Sequence, residues 1–169
     1  MIIIQELNNK NVQEASRLAD AIFIKDPIKP SVYFEASLDD KKFHDVNKIS
    51  SEDLFSLKYW VAVDDETKRI VGTTGLYEKI QDKDDAAWVD WYCVAPDVRG
   101  KKIGSTLLDF TIAEAKKKHK KFLRLYTSTL ENESVAQIIY ERKGFKIIKE
   151  MGYKKEKDYE IFYRQLDLQ

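Results

Sequence analysis

The sequence predicts one α/β domain spanning residues 1–169, a mixed sheet layered with helices. Three observations lead there. A length of 169 residues is the size of a single domain and scarcely allows two. Hydrophobic residues make up 43%, which supports a real core and excludes a disordered or fibrous chain. The apolar spacing is helical over the first part of the chain, becomes strand-like at Trp60, and then alternates between the two.

Each element follows from its own residues. Ile2–Glu6 is β-branched and bounded by Asn8-Asn9, so it reads as a short strand. Asn11 can cap a helix running to about Phe23, with Val12, Ala15, Leu18, Ala19 and Ile22 on one stripe. Asp26-Pro27-Ile28-Lys29-Pro30 breaks it. Ser31–Ile49 is a second helical region of weaker periodicity, and Ser51-Glu52-Asp53 is expected to start one more short helical turn. Trp60–Val63 and Ile70–Tyr77 flank the turn Asp64–Arg69 as a hairpin. Beyond the polar loop Gln81–Asp85 lies Ala87–Val94, the most apolar strand, ended by Pro96. Gly104–Lys118 is helical, Phe122–Thr127 a strand, and Asn132–Lys143 a helix stopped by Gly144. Phe145–Tyr153 and Tyr159–Leu166 alternate as a final hairpin. The order is βα(α)βββαβαββ.

Composition excludes several functions. Lys plus Arg number 29 and Asp plus Glu 29, and this zero net charge argues against a nucleic-acid binder or a membrane-surface protein. Cys93 is alone, so no internal disulfide forms, and no Cys/His spacing resembles a metal site. The opening residues lack a basic stretch, and no apolar run approaches the ~18–20 residues of a membrane span, so a cytoplasmic location is expected.

The strongest local signal is Val94-Ala95-Pro96-Asp97-Val98-Arg99-Gly100-Lys101-Lys102-Ile103-Gly104, a strand, a tight loop and a helix N-terminus. Such a turn presents unpaired N–H groups at the positive end of a helix dipole, which suits a phosphate. Glycines admit close backbone approach, and Arg99, Lys101 and Lys102 add charge. Neither of the commoner nucleotide loops can be written over these residues. Alone, the stretch is equally compatible with a solvated glycine turn.

A second signal follows downstream. Arg99-Gly100-x-x-x-Gly104, then Asn132-x₃-Ala136-x₃-Tyr140-x₃-Gly144-Phe145, resembles the GNAT superfamily of N-acetyltransferases, and the element order matches that family from end to end. The family's loop usually carries a glycine where Lys102 stands. The backbone N–H survives that change, unless the position demands a positive φ. The resemblance implies a mostly antiparallel sheet with one splayed parallel strand pair, Ala87–Val94 beside Phe122–Thr127, and helices on both faces. Acetyl-CoA would lie in the splay, with its pyrophosphate on Arg99, Gly100, Lys101, Lys102, Ile103, Gly104 and Ser105. The family transfers the acetyl group directly to an amine, with no covalent enzyme intermediate and no metal.

Individual roles follow by the same resemblance. The Val94 N–H would polarise the thioester carbonyl, Tyr140 would protonate the departing thiolate, and Asn132 would contact the pantetheine arm or simply cap its helix. The base is read from the residues themselves. Asp90 lies four positions before Val94, which strand alternation puts on the same face, among Trp88, Trp91 and Tyr92 that would desolvate it. Glu78 is the rival, with a salt bridge as its plainer reading. Cys93 reads as a core thiol, His44 and His119 form no constellation, and Lys116–Lys121 reads as a solvated helix end. Aromatic and acidic residues around Tyr33, Phe34, Trp88 and Asp90 suit a cationic acceptor, a small primary amine or an exposed amino group. A CoA-binding module without catalysis, or a transferase using succinyl- or propionyl-CoA, remains open at this point, as do acceptor identity and any homodimer.

Overall fold

The computed structural model describes residues 1–156 and 158–169, leaving aside the side chains of Asn132 and Tyr153. Eight strands form one sheet: β1 (Ile2–Glu6), β2 (Leu54–Asp64), β3 (Ile70–Lys79), β4 (Ala86–Val94), β5 (Phe122–Ser128), β6 (Lys146–Ile147), β7 (Tyr153–Lys155) and β8 (Glu160–Asp167). Their order is β1-β2-β3-β4-β5-β8-β6, with β7 also on β8. Every pairing is antiparallel except β4 with β5. Helices α1 (Val12–Ile22), α2 (Pro30–Ala36) and α3 (Asp40–Ile49) cover one face, and α4 (Ile103–Lys117) and α5 (Ser134–Arg142) cover the other. No described helix is long and apolar enough to cross a membrane.

β3 is the spine of the sheet. It runs between β2 and β4 with α1 on one side and α4 on the other, and all ten of its residues are buried. A strand covered on both faces must satisfy its polar groups internally. Thr73 Oγ1 donates to the Trp91 carbonyl at 2.6 Å, and Thr74 shares a 2.7 Å hydrogen bond with Thr111 of α4. The α1 stripe expected from Val12, Ala15 and Ala19 is buried against this sheet.

Three elements differ from expectation. The helical region before β2 divides, because the Asp39 carboxylate accepts from the Lys42 N–H at 2.9 Å and so caps a new helix, α3. Ser51–Asp53 is not helical; Asp53 takes a φ of 50° and its carbonyl accepts from Ile80 N–H, which leads the chain straight into a longer β2. The terminal hairpin is interrupted, since a 3-10 turn at Lys149–Met151 separates β6 from β7 while both pair with β8. Of the lysines at the end of α4, Lys116, Lys117, Lys118 and Lys121 are exposed, while Lys120 is drawn in; Lys118 reaches Glu78 at 2.5 Å and Lys120 reaches it at 2.6 Å.

Candidate active site

The parallel pair is short. β4 and β5 are in register only from Ala86–Phe122 to Trp88–Arg124. Beyond Arg124, β5 continues against β8 alone and β4 against β3 alone, so the two strands part. A cleft of about 610 Å³ opens between them. Its walls are Val89–Val94, the turn into α4, Leu125–Thr127 and the α5 face carrying Val135, Ile138, Ile139 and Tyr140, with Ile22, Phe23 and Asp26 reaching it from the far side of the sheet.

At one end sits the N-terminus of α4, whose amides can hold an anion. The first intrahelical bond of α4 runs from Thr106 N–H to the Lys102 carbonyl, so the amides of Ile103, Gly104 and Ser105 have no partner among the described residues. Arg99, Gly100, Lys102 and Arg142 line the cleft nearby, whereas Lys101 is exposed outside its lining. Gly100 has a φ of 80° and open space where a Cβ would be, so it is needed for its backbone conformation. Gly104 is needed for space: an added Cβ would stand 2.7 Å from the Tyr92 hydroxyl and 3.2 Å from Ile139. Protein atoms, rather than ligand, therefore exclude a side chain there.

Lys102 does occupy the left-handed region, with φ 64° and ψ 8°. An L-residue there costs about 1–2 kcal/mol relative to the right-handed helix. Lys102→Gly is expected to stabilise the fold by about 0.5–1 kcal/mol, the strain relief being partly offset by the greater unfolded-state entropy of glycine. Urea unfolding measures it, and a destabilised variant would contradict a left-handed backbone at this position.

Val94 is presented by the ladder itself. The Ala95 N–H bonds to the Val71 carbonyl at 2.8 Å, so the adjacent pair Gly72–Val94 is the non-hydrogen-bonded kind. The Val94 N–H and carbonyl thus point away from β3, toward the side β5 has left. Arg99 Nε donates to that carbonyl at 3.2 Å. The Tyr140 ring, 7% exposed, sits 5.7 Å from Tyr92 and 5.8 Å from Phe145. Burial, then the neighbouring Tyr92, push its hydroxyl far up, so it stays protonated.

Asp90 is not on the same face as Val94. Gly72 faces Val94 and Thr73 faces Cys93, but Gly75 faces Asp90, so β4 has one residue more than β3 in this stretch. This bulge falls where Trp91 takes a φ of 40°. It reverses the alternation: Val94 packs with Ile103 and Leu107 under α4, whereas Asp90 accepts a 2.5 Å hydrogen bond from Tyr59 in the cluster under α1 and α2. Both residues still line the cleft, which passes through the sheet. Burial raises the Asp90 carboxyl to about 7, against the opposing hydrogen bonds from Tyr59 and the Trp91 amide, with Glu52 and Asp26 adding to the rise.

The remaining candidates separate. Tyr33 lines a small side cavity of about 30 Å³ with Glu52, Leu54, Tyr77, Asp90, Trp91 and Tyr126. Phe34 has no exposure and lies 4.8 Å from the Tyr59 ring. Trp88, 1% exposed, is covered by Tyr77, Tyr163 and Lys79 and donates to Asp82. Neither can touch an acceptor, because β-strand and helix packing turn both into the core. Glu78 faces away from the cleft; burial raises its carboxyl, but Lys118, Lys120 and Ser56 outweigh that and hold it low. Cys93 is buried 3.2 Å from Thr73 Oγ1, and desolvation lifts its thiol to about 11, which keeps it protonated at neutral pH. The Asn132 side chain lies outside the described residues, and the residue capping α5 is Glu133. Among the described residues, no group of three or more His, Cys, Asp or Glu could hold a metal ion.

Residues not anticipated from sequence are Glu52, Tyr59, Tyr77 and Tyr126 around Asp90, and Asp26 and Glu133 at the cleft wall. Glu133 also fixes the end of β5, accepting from the Ser128 amide, from the Ser128 hydroxyl at 2.6 Å and from Thr127 at 3.1 Å.

Comparison with known proteins agrees with this architecture. No curated protein sequence matches the chain. A Desulfovibrio desulfuricans structure provisionally assigned to the GNAT acetyltransferases is similar over 100% of both chains, with a TM-score of 0.75 and 14% identity. The ribosomal-protein-S18-alanine N-acetyltransferase of Escherichia coli is similar over 99% of this chain and 94% of its own, with a TM-score of 0.66 and 16% identity. An aminoglycoside 6'-N-acetyltransferase complexed with coenzyme A has a TM-score of 0.66 at 16% identity, covering 99% of this chain and 97% of its own. These identities speak for the fold. Residues 56–147 match the acetyltransferase (GNAT) domain, a stretch that contains the parted strands, the α4 turn and Tyr140, and the chain therefore belongs to the GNAT acetyltransferase family.

Proposed function

We propose that the whole chain, 1–169, is one cytoplasmic N-acetyltransferase domain that moves the acetyl group of acetyl-CoA directly onto a primary amine. One observation carries the reading: a single cleft has a cationic helix N-terminus at one end and, where the strands part, the carboxyl of Asp90, which burial pushes up to about 7. The amides of Ile103, Gly104 and Ser105, with Arg99, Gly100 and Lys102, hold the pyrophosphate. Val135 and Ile138 on α5, each about half exposed, offer an apolar wall to the pantetheine arm. The bound thioester supplies an activated acetyl group and a competent leaving group. Val94 N–H is aimed to stabilise negative charge on the carbonyl oxygen. Asp90 takes the proton that an ammonium must lose before it can attack, directly or through water, and Tyr140 keeps a proton available for the sulfur.

The acceptor side supports a cationic substrate. Asp26, Asp90 and Glu133 line the cleft, and Glu52, Tyr33, Trp91 and Tyr126 line the side cavity beside Asp90. Carboxylates and aromatic rings together attract an ammonium. Two measurements test the reading. Calorimetry is expected to show CoA binding to the free protein. Thiol release from acetyl-CoA is expected to rise with polyamines, aminoglycosides or peptides with neutral N-terminal residues, and not with glutamate or aspartate. Preference for either acidic amino acid would overturn the cationic acceptor, and absence of CoA binding would overturn the transferase.

A further inference from the structure

The hydrogen bond from Tyr59 to Asp90 spans a strand. Tyr59 on β2 pairs with Gly75 on β3, and Gly75 pairs with Asp90 on β4, so the three residues form one row across the sheet. A phenol can cross the middle strand only if nothing stands on it. A Cβ at Gly75 would collide with Cδ1 and Cε1 of the Tyr59 ring. The ring lies flat over that gap, 1% exposed, with Phe34 packed 4.8 Å away, and its hydroxyl meets Asp90 Oδ2 at 2.5 Å.

We propose that Tyr59 is a positioning residue for Asp90, reaching it over Gly75 to hold its Oδ2 so that, with the Trp91 amide, it fixes the carboxylate in the cleft for the acceptor's proton. The proposal rests on Asp90 being the base. Burial, then the adjacent Asp90, push the Tyr59 hydroxyl far up, so it is a permanent donor. A donor of this kind favours the ionised carboxylate. The other groups facing Asp90 come from every neighbouring element: Asp26 after α1, Tyr33 of α2, Glu52 before β2, Tyr77 of β3 and Tyr126 of β5. Glu52 and Asp26 work against ionisation, and Glu52 is itself paired with Lys79. Tyr59 and the Trp91 amide are the groups that counter them.

Tyr59→Phe keeps the ring and its packing and deletes only the donor. Carbon-13 NMR of aspartate-labelled protein follows the Asp90 carboxyl, assigned by its loss in Asp90→Asn. The midpoint, about 7 in the parent protein, is expected to rise by roughly one pH unit in Tyr59→Phe. Gly75→Ala, which displaces the ring while keeping the hydroxyl, is expected to move it in the same direction if circular dichroism shows a native fold. An unchanged midpoint in folded Tyr59→Phe overturns the proposal. Failure of the base assignment reads out separately, as full amine-dependent thiol release by Asp90→Asn, and leaves the titration result standing on its own.

Discussion

Asp90→Asn is expected to lower kcat/KM for the amine by about 10²–10⁴-fold, the usual contribution of a general base, while leaving CoA affinity nearly unchanged. The amide preserves size and one hydrogen bond to Tyr59 but cannot take a proton at neutral pH. With Asp90 as the proposed base, only its ionised carboxylate can accept the proton, so kcat/KM is expected to rise with pH and level off above about 7; the variant should lose that limb. Stability should move the opposite way. The folded carboxyl titrates near 7 against an ordinary 3.8, so the native state holds a proton that the unfolded state releases between those values. Stability from this group is therefore fully present below about 4 and declines as pH rises through 7. Asp90→Asn removes the decline, a gain on the order of 2–4 kcal/mol above pH 7 and almost none at pH 4. Thermal unfolding at both pH values checks the sign. A variant equally affected at the two values would show that the carboxyl is not desolvated.

Tyr140→Phe is expected to lower turnover by about 10²-fold, toward the lower end for a general acid because a thiolate leaves fairly well unassisted. The ring stays between Tyr92 and Phe145, so the fold and CoA binding should survive. Single-turnover measurement of thiol release isolates the chemical step. An unaltered chemical step would assign the ring to packing alone.

How far the sequence could be read depended on the range of the interaction. The helix that begins at Ile103, the stop at Gly144 and the strand ending at Val94 are written in neighbouring residues, and each lies within a residue or two of its expected bounds. The division of α2 from α3 was also local, through Asp39, but weak periodicity concealed it. The extra residue in β4 left no local mark: Trp91-Tyr92-Cys93-Val94 is an unbroken apolar run that fits a regular buried strand as well as a bulged one, and only the register against β3 reveals the bulge. For the same reason Tyr59, Glu52 and Tyr126 could not be connected with Asp90 beforehand, since three separate strand pairings bring them together. Phe34 and Trp88 were misjudged because an aromatic residue in an acidic neighbourhood looks alike whether it lines a pocket or fills a core.

The parting of β4 from β5 makes an opening lined from both layers of helices. If the pyrophosphate enters at the start of α4 and the amine beside the end of α1, where Ile22, Phe23 and Asp26 line the cleft, neither reactant blocks the other's doorway. Under the proposed direct transfer both must be present together, so double-reciprocal plots against the two substrates should intersect rather than run parallel. The separate entrances also uncouple the size of the acceptor from the size of the cleft. A bulky molecule needs only to insert one amino arm from its own side, while the rest of it remains in solvent.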